Sequence, residues 1–330
     1  PAAAVPLVAL GAGVGIQAAP PGYRRRSVHS AAFRPGVPLA VHAVAFMTRD
    51  DVTAAWIVNA IAETIGLWYL GRLVLGERDQ RSATFSMWLF ALAPTALFLI
   101  APFSESAFIA SAAASLYYAR AGQSRKAILA ATLACCFRLT GLALIPALAI
   151  EHLRRTGWRP RPAVLTVLIA ALPLVLYGIY MQIHIGDAVA LLDADRLPSF
   201  GLQVTAPWVG FAATWHTLVS TQSGETRSIF AREIAYGLLG LALCIGRWVS
   251  SRIPRSLALY CTIAWLITAS LPLCRSQPRY SPALSPVVLL GCALTPRLPR
   301  LAPHIPPPRA PLLPPRLALS HPAPAPADLR

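Results

Sequence analysis

A long apolar stretch, residues 93–151, constrains the fold of this chain more than any other feature. It contains two ionisable residues, Glu105 and Arg138, that stand far from any basic loop. A charge inside a membrane segment costs about 2.5–3.5 kcal/mol, so such residues usually face a cavity or a partner. The apolar pieces around them are short. Residues 106–119 would reach about 21 Å, and residues 127–138 and 142–153 about 18 Å each, against a hydrocarbon core of about 30 Å.

Two helix-breaking residues in this stretch, Gly141 and Pro146, stand where a helix would be interrupted. We therefore predict an all-α, polytopic transmembrane protein with broken or half helices. Non-helical backbone at membrane depth is tolerated only where it is buried in protein or lines a water-filled cavity. The stretch thus predicts an outward-facing cavity, with Glu105 and Arg138 at its outer level.

Composition places the chain in the membrane. Hydrophobic residues make up 56% and charged residues 13%, and the mean hydropathy is +0.56, whereas a soluble domain carries about 25% charged residues. We expect a multi-pass integral protein of a bacterial plasma membrane or, in a eukaryote, of the endoplasmic reticulum membrane. The net charge of +16 does not indicate a nucleic-acid partner, because the arginines lie in short loops between apolar segments, as the positive-inside rule requires.

Metal-binding patterns are weak. None of the six cysteines has the CxxC spacing of a zinc or redox site. His184 with Asp187, and His216, lack the spacing of metal ligands. We predict no metal site.

The other apolar segments predict the remaining membrane elements and the domain organisation. Residues 1–32 are interpreted as a low-complexity remnant of a first span and outer loop, residues 33–294 as the membrane domain, and residues 295–330 as a Pro- and Arg-rich, disordered cytoplasmic tail. Further membrane segments are predicted at residues 37–46, 52–75, 84–101, 163–183, 229–249, 256–274 and 281–294, with an interfacial helix at residues 206–220.

The basic loops predict the orientation. Residues 120–126, 154–161 and 247–255 are the most basic and should be cytoplasmic. The first two loops share a side only if residues 127–150 form a hairpin of half-helices. Glu105 and the turn at residues 275–280 then lie on the outer side.

Glu105 and Arg138 allow two interpretations. They could form a structural ion pair that joins two helices. Alternatively, Arg138 binds a phosphate while Glu105 acts on a hydroxyl. The turn at residues 275–280 also allows two interpretations. It could bind an anion, or its Arg and Tyr residues could contact lipid headgroups.

Five motifs, taken in order, resemble a known family. They are FRPGVP (33–38), APFSESAF (101–108), FRLTG (137–141), TAPW (205–208) and PRYSPALSP (278–286). Together they are similar to the PIG-V type of mannosyltransferase, which adds the second mannose in GPI-anchor assembly, and to its bacterial relatives. The likeness covers residues 33–294.

This resemblance implies a GT-C membrane glycosyltransferase. Its donor is mannose on a polyprenyl- or dolichyl-phosphate carrier, its acceptor a glycan or lipid on the non-cytoplasmic face, and it implies neither a cofactor nor a divalent metal. Carried over by position, Glu105 is the acidic residue of the SES motif and serves as site carboxylate or fallback base. Arg138, Arg279 and Tyr280 are implied to bind substrate, with Thr140 in place of the family's Asn.

The chain departs from the family near its start. The family's expected base is an Asp ahead of a Gly-Tyr pair; counting back from Gly22-Tyr23 places Gly11 there, and the first acidic residue is Asp50. We therefore expect an N-terminally incomplete sequence with impaired transfer. The alternatives are a degenerate, non-catalytic membrane protein of the same fold and a secondary transporter, whose mark would be an internal repeat that we do not find.

Overall fold

The computed structural model describes residues 35–76, 79–185, 188, 205–249, 254–274 and 277–280. Within these ranges all regular elements are helices, which confirms the all-α class. The α-helices are α1 (Gly36–Thr48), α2 (Asp51–Leu75), α3 (Gln80–Ala91), α4 (Leu97–Ile100), α5 (Glu105–Arg120), α6 (Ser124–Phe137), α7 (Leu144–Arg155), α8 (Leu172–Ile185), α9 (Pro207–Ser220), α10 (Gly224–Val249), α11 (Arg255–Ala269) and α12 (Gln277–Tyr280). Short 3-10 helices lie at Pro94–Ala96, Leu139–Ala143 and Pro162–Ala171.

All described residues belong to one compact unit, Pro1–Arg297. The predicted terminal segments 1–32 and 295–330 and the predicted membrane segment 281–294 lie outside the described residues.

Among the described residues, three helical segments are long and apolar enough to cross a membrane. They are Asp51–Leu75, Pro162–Ile183 and Gly224–Val249, and they match the predicted segments 52–75, 163–183 and 229–249. The predicted continuous segment 84–101 is wrong, because α3 ends at Ala91 and a 3-10 turn beginning at Pro94 follows. A proline ring cannot continue the helical hydrogen bonding.

Aspartates cap the two helices before this interruption. The Asp50 carboxylate accepts the Thr53 backbone N–H at 2.8 Å, and the Asp79 carboxylate accepts the Ser82 N–H at 2.9 Å. Hydrogen bonds from Thr53 lower the pKa of Asp50, and those from Ser82 lower the pKa of Asp79. The caps define where α2 and α3 begin.

Helix α2 packs closely on α5. A Cβ at Gly66 would stand 3.4 Å from the Ala110 backbone nitrogen, and α5 presents buried alanines on this side, including Ala107, Ala113 and Ala114. Small residues let two helix backbones approach in an apolar environment, where packing is the main attraction. This contact brings the first half of α2 beside the interruption that precedes α5.

The predicted break in the second half of the apolar stretch lies at residues 138–143. Arg138 is extended, with φ −148° and ψ 147°, between α6 and the 3-10 helix. Gly141 turns tightly back on α6, since a Cβ there would come within 2.8 Å of the Cys135 nitrogen. Pro146 makes no second break. It lies in the first turn of α7, where a missing N–H leaves no hydrogen bond unmade.

Helices α6 and α7 form the predicted hairpin. Arg155, at the end of α7, donates a hydrogen bond to the Arg120 carbonyl at the end of α5. A small cavity of about 20 Å³ lies between Ser124 at the start of α6 and Glu151 and His152 of α7. The segment therefore returns to the end of the molecule from which it left. We call this region, with Arg120, Arg154 and Arg155, the basic end.

Candidate functional site

Glu105 and Arg138 form a buried ion pair. The Arg138 Nη1 atom lies 2.5 Å from the Glu105 Oε1 atom and 3.4 Å from the Ser104 hydroxyl oxygen, which accepts from it. The side chains are 3% and 12% exposed for Glu105 and Arg138. The structure thus brings together the two residues that sequence analysis singled out.

Each member of the pair stands at a helix interruption. Glu105 is the first residue of α5, where the helix dipole stabilises a negative charge. Arg138 directly follows the last residue of α6, and its extended backbone carries the side chain across to α5. Burying two charges is costly unless geometry and further hydrogen bonds compensate. The helix ends beside Glu105 and Arg138 supply further polar groups, because backbone N–H and C=O groups at helix ends have no partner within the helix.

Asn59 on α2 holds the interruption before α5 in place. Its side chain is buried, with the residue 4% exposed, and its Nδ2 group donates to the Leu99 carbonyl and to the Ala101 carbonyl at 2.6 Å. The Ser106 hydroxyl donates to the same Leu99 carbonyl at 2.6 Å. These bonds satisfy carbonyls that the broken helix leaves without intrahelical partners. They fix the backbone on both sides of Glu105.

Sequence analysis missed Asn59. The available signal was a side-chain amide within a long apolar helix, since polar residues in membrane segments commonly bond across helices. Its two carbonyl partners lie 40 and 42 residues further along the chain, so no local pattern identifies them.

Two further residues stand near Arg138. Tyr260 of α11 is completely buried and lies close enough to interact electrostatically with Arg138. Thr140 is 5% exposed, and its hydroxyl has no hydrogen-bond partner among the described residues. Sequence analysis did not identify Tyr260, because it lies in an otherwise ordinary apolar segment.

The described part of the FRPGVP motif touches the FRLTG motif. A Cβ at Gly36 would lie 2.6 Å from the Phe137 ring and 2.7 Å from the Cys136 carbonyl oxygen. The beginning of α1 therefore packs against the end of α6, next to Arg138. The APFSESAF and FRLTG motifs thus meet at the ion pair, and the FRPGVP motif packs beside the second of them.

The TAPW motif contacts the segment that follows the end of α11. The Thr205 backbone N–H donates to the Ser270 carbonyl at 2.9 Å, and the Cys274 N–H donates to the Thr214 hydroxyl at 2.8 Å. Gly210 lies so close to the Leu271 carbonyl that a Cβ would overlap it. Helix α9, which begins in the TAPW motif, thus packs on the segment that leads to α12.

Helix α12 contains Arg279 and Tyr280. Their side chains lie outside the described part of the structure, so their predicted contact with a ligand stays a prediction. Helix α11 connects Tyr260 with Ser270, its C-terminal capping residue, which Thr205 of the TAPW motif contacts; about 15 Å of helix separates the two residues.

A second buried carboxylate, Glu151, lies at the basic end. Its side chain, 3% exposed, pairs with Arg154 at 2.6 Å, Arg120 at 3.4 Å and Arg155 at 3.5 Å. The Ser256 hydroxyl donates to it at 3.1 Å. Glu151 therefore joins α5, α7 and the start of α11. Helix α5 spans about 24 Å between this cluster and Glu105, so the two carboxylates belong to separate sites.

Within the described ranges, no group of three or more His, Cys, Asp or Glu side chains is arranged to hold a metal ion. The structure does not describe the His184 side chain, and Asp187 lies outside the described ranges.

Comparison of the chain with protein-family models, with curated proteins and with solved structures found no match. The likeness to PIG-V mannosyltransferases therefore rests on the five motifs alone.

The chemistry of the ion pair follows from its two groups. A guanidinium has five N–H donors in a planar fork, so Arg138 can hold Glu105 and still present donors to a phosphate. A carboxylate within about 3 Å of a hydroxyl can accept its proton. For either function a substrate must reach Glu105 and Arg138, which in this structure bond each other and are largely buried.

Proposed function

We propose that this protein is a membrane glycosyltransferase resembling the PIG-V mannosyltransferases, with a GT-C-like fold. It transfers mannose from a polyprenyl- or dolichyl-phosphate carrier to a glycan or lipid acceptor on the non-cytoplasmic face. The observation that carries the proposal is the buried ion pair of Glu105 and Arg138, 2.5 Å apart at two interrupted helices. Such interruptions at membrane depth are tolerated where they are buried or line a cavity.

In the proposed reaction, the bond between the anomeric carbon of mannose and the phosphate oxygen breaks. The lipid phosphate leaves with that electron pair, and Arg138 or Arg279 stabilises its developing charge. The acceptor hydroxyl oxygen bonds to the anomeric carbon with inversion, and Glu105 takes the hydroxyl proton. The ion pair opens for this step, because the carboxylate exchanges the guanidinium for the hydroxyl.

The second candidate is a non-catalytic membrane protein of the same fold. The closed geometry of the pair favours it, since Glu105 is 2% exposed. In that protein the pair only joins α5 to the turn after α6. A secondary transporter has no specific observation in its favour.

The deciding experiment is mannose transfer by the full chain in lipid nanodiscs. The donor is polyprenyl-phosphate-mannose with a radioactive sugar, and extracted membrane glycolipids serve as acceptors. We expect Glu105→Gln to lower the rate per folded molecule by about 10²-fold or more, because a positioned general base contributes about 10²–10⁴-fold.

The matched control is Glu151→Gln. It removes a second buried, arginine-paired carboxylate, at the basic end. The rate per folded molecule should stay within about threefold of the unmodified chain, since α5 separates Glu151 from Glu105 by about 24 Å. Absence of transfer by the unmodified chain contradicts the proposal and favours the non-catalytic protein. Full activity of Glu105→Gln contradicts the role of Glu105.

A further inference from the structure

The basic end carries more positive charge than its one buried carboxylate can balance. Glu151 pairs with three arginines, Arg120, Arg154 and Arg155. It is the only acidic residue from residue 106 to residue 162. Exposed cations of the two adjoining loops add to the excess; they are Arg125, Lys126, Arg159 and Arg161. A surface with this charge attracts anions.

The cavity at the basic end is lined by groups that can donate hydrogen bonds. Its volume of about 20 Å³ is bordered by Ser124, His152, Arg155 and Thr166. A cavity of this volume can hold one water-sized group, such as one oxygen of a phosphate. The His152 Nε2 atom is buried and has no hydrogen-bond partner among the described residues. An oxygen ligand in the cavity would give this nitrogen the partner that the protein does not supply.

The first turn of α6 also favours an anion at this position. The helix begins at Ser124 without a side-chain cap and has no acidic residue in its first turn. Arg125 and Lys126 stand there instead, and cations oppose the positive end of the helix dipole, which an anion offsets. The Arg155 guanidinium lies against the turn before α6, since a Cβ at Gly122 would stand 2.7 Å from its Nη1 atom. With five N–H donors, it can keep its protein contacts and still bind a ligand.

The turn after α7 presents a tryptophan among these cations. Gly157 and Trp158 have φ angles of 64° and 61°, a left-handed conformation that is unfavourable for a residue other than glycine. The Trp158 N–H donates to the Leu153 carbonyl at 2.7 Å, and the Thr156 hydroxyl donates to the Arg159 carbonyl at 3.0 Å. The turn is therefore fixed, and Trp158 is 57% exposed. A tryptophan beside arginines is typical of a membrane interface.

We propose that the basic end is a docking surface for an anionic phospholipid, with the headgroup phosphate at the cavity between α6 and α7. Arg155, His152 and the first N–H groups of α6 donate to the phosphate oxygens. The Trp158 indole lies at the boundary between headgroups and acyl chains. Basic pockets between membrane helices on the cytoplasmic side are suited to such headgroups. The inference goes beyond the proposed function and does not depend on mannose transfer.

Glu151 is not a ligand in this proposal. Its Oε1 atom bonds Arg154 at 2.6 Å, and its Oε2 atom accepts the Ser256 hydroxyl at 3.1 Å. Both oxygens are thus engaged within the protein. The carboxylate holds the arginines in place, and their excess charge remains for the lipid.

The test measures lipid binding by the full chain, purified in an uncharged maltoside detergent. The probe is phosphatidylglycerol with a fluorescent acyl chain, and its anisotropy gives the Kd. Unlabelled phosphatidylglycerol, zwitterionic phosphatidylcholine and inorganic phosphate serve as competitors. The variants are Arg155→Gln, His152→Leu and a double variant that combines Arg125→Gln with Lys126→Gln. Both side chains changed in the double variant are exposed, so this variant keeps the test open if Arg155→Gln does not fold.

The matched control is Arg232→Gln. Arg232 is an exposed arginine in the first half of α10. Its neighbour Glu233 accepts the Gln277 N–H at 2.6 Å, beyond the end of α11 that lies opposite the basic end. Its loss should leave the Kd for phosphatidylglycerol within about twofold of the unmodified chain, since exposed charges farther apart than a Debye length are largely screened.

We expect Arg155→Gln to raise the Kd for phosphatidylglycerol about tenfold or more, because a hydrogen bond between charged groups is lost. The double variant should raise it about fivefold or more. His152→Leu should raise it about threefold or more without lowering the melting temperature, because the Nε2 atom has no partner among the described residues. Phosphatidylcholine should compete at least about tenfold more weakly than phosphatidylglycerol.

The inference is overturned if the unmodified chain does not bind phosphatidylglycerol, or if phosphatidylcholine competes equally well. Equal competition by inorganic phosphate would show a site for free phosphate instead of a lipid. An unchanged Kd in both His152→Leu and the double variant would place any lipid elsewhere. An equal loss of binding in Arg232→Gln would show a nonspecific effect of net charge.

Discussion

At the residue scale, three buried carboxylates among the described residues each accept hydrogen bonds from other elements or from neighbouring arginines. Glu105 bonds Arg138, Glu151 bonds three arginines, and Glu233 bonds a backbone N–H. Removing one partner of a buried pair leaves an uncompensated charge, whereas replacing both can be neutral. This asymmetry allows the structural contribution of a pair to be measured apart from any catalytic one.

The prediction at this scale concerns the contribution of the ion pair to folding. Glu105→Leu alone and Arg138→Met alone should each destabilise the protein by about 3–5 kcal/mol, because each leaves a lone buried charge. The double variant should be less destabilised than either single variant. The measurement is thermal unfolding in detergent of the three variants and the unmodified chain. Strictly additive losses would show that the two side chains do not act as a buried pair.

At the scale of elements, interrupted helices need partners for their free backbone groups. The segment between α4 and α5 obtains them from Asn59, and in the segment between α6 and α7 the Arg138 N–H donates to the Ala134 carbonyl and the Gly141 N–H to the Arg138 carbonyl, each at 3.0 Å. An unsatisfied carbonyl in an apolar region costs several kcal/mol. The break before α5 therefore depends on a residue of a neighbouring helix.

The prediction at this scale is that Asn59→Leu destabilises the protein by about 2 kcal/mol or more. Leucine has a similar shape but no donor, so the Leu99 and Ala101 carbonyls each lose a hydrogen bond at a cost of about 1–3 kcal/mol. Transfer should fall as well if Glu105 is catalytic, since the backbone beside it is released.

The control is Thr64→Val on the same helix. Thr64 is exposed, and its hydroxyl bonds only the Ala60 carbonyl of its own helix in the contacts described, so its loss should change the melting temperature little. Equal melting temperatures for Asn59→Leu and Thr64→Val would mean that Asn59 does not hold the interruption.

At the scale of the whole molecule, the basic end gathers the loops that the charge rule assigns to the cytoplasm. Arg120 and Arg155 meet there, and so do the ends of the α6–α7 hairpin. The aromatic residues Tyr69 and Tyr118 bond each other through their hydroxyls at 2.7 Å, and Lys126 stands over the Tyr118 ring. Tyrosines beside basic residues are typical of a membrane interface.

The prediction at this scale is topological. In a chain whose native cysteines are replaced by alanine, cysteines introduced at the exposed residues Ser124 and Arg159 should both be labelled only from the cytoplasmic side. Met47 is exposed and lies just before the start of α2, a helix about 37 Å long. A cysteine at this position should therefore be labelled only from the non-cytoplasmic side. Labelling of Ser124 and Arg159 from opposite sides would contradict the hairpin.

The sequence by itself determined the all-α class, the three long apolar helices and the positions of the half-helices around the break at Arg138. These properties depend on hydropathy, segment length and charge, which can be read from residues that are close together in the chain. It also singled out Glu105 and Arg138, because charges are rare in apolar segments. The predicted span at residues 84–101 is wrong because the prediction followed the apolar character of the whole segment and gave too little weight to Pro94, where the helix is interrupted.

Only the tertiary structure decided which polar groups meet. Asn59 bonds Ala101, 42 residues away, Arg120 bonds Glu151, 31 residues away, and Gln277 bonds Glu233, 44 residues away. No spacing in the sequence indicates these partners, since each contact depends on how separate helices pack. In an apolar interior a polar group must bond another group of the protein, because no water is present as an alternative partner. Which group becomes its partner depends on how the helices pack.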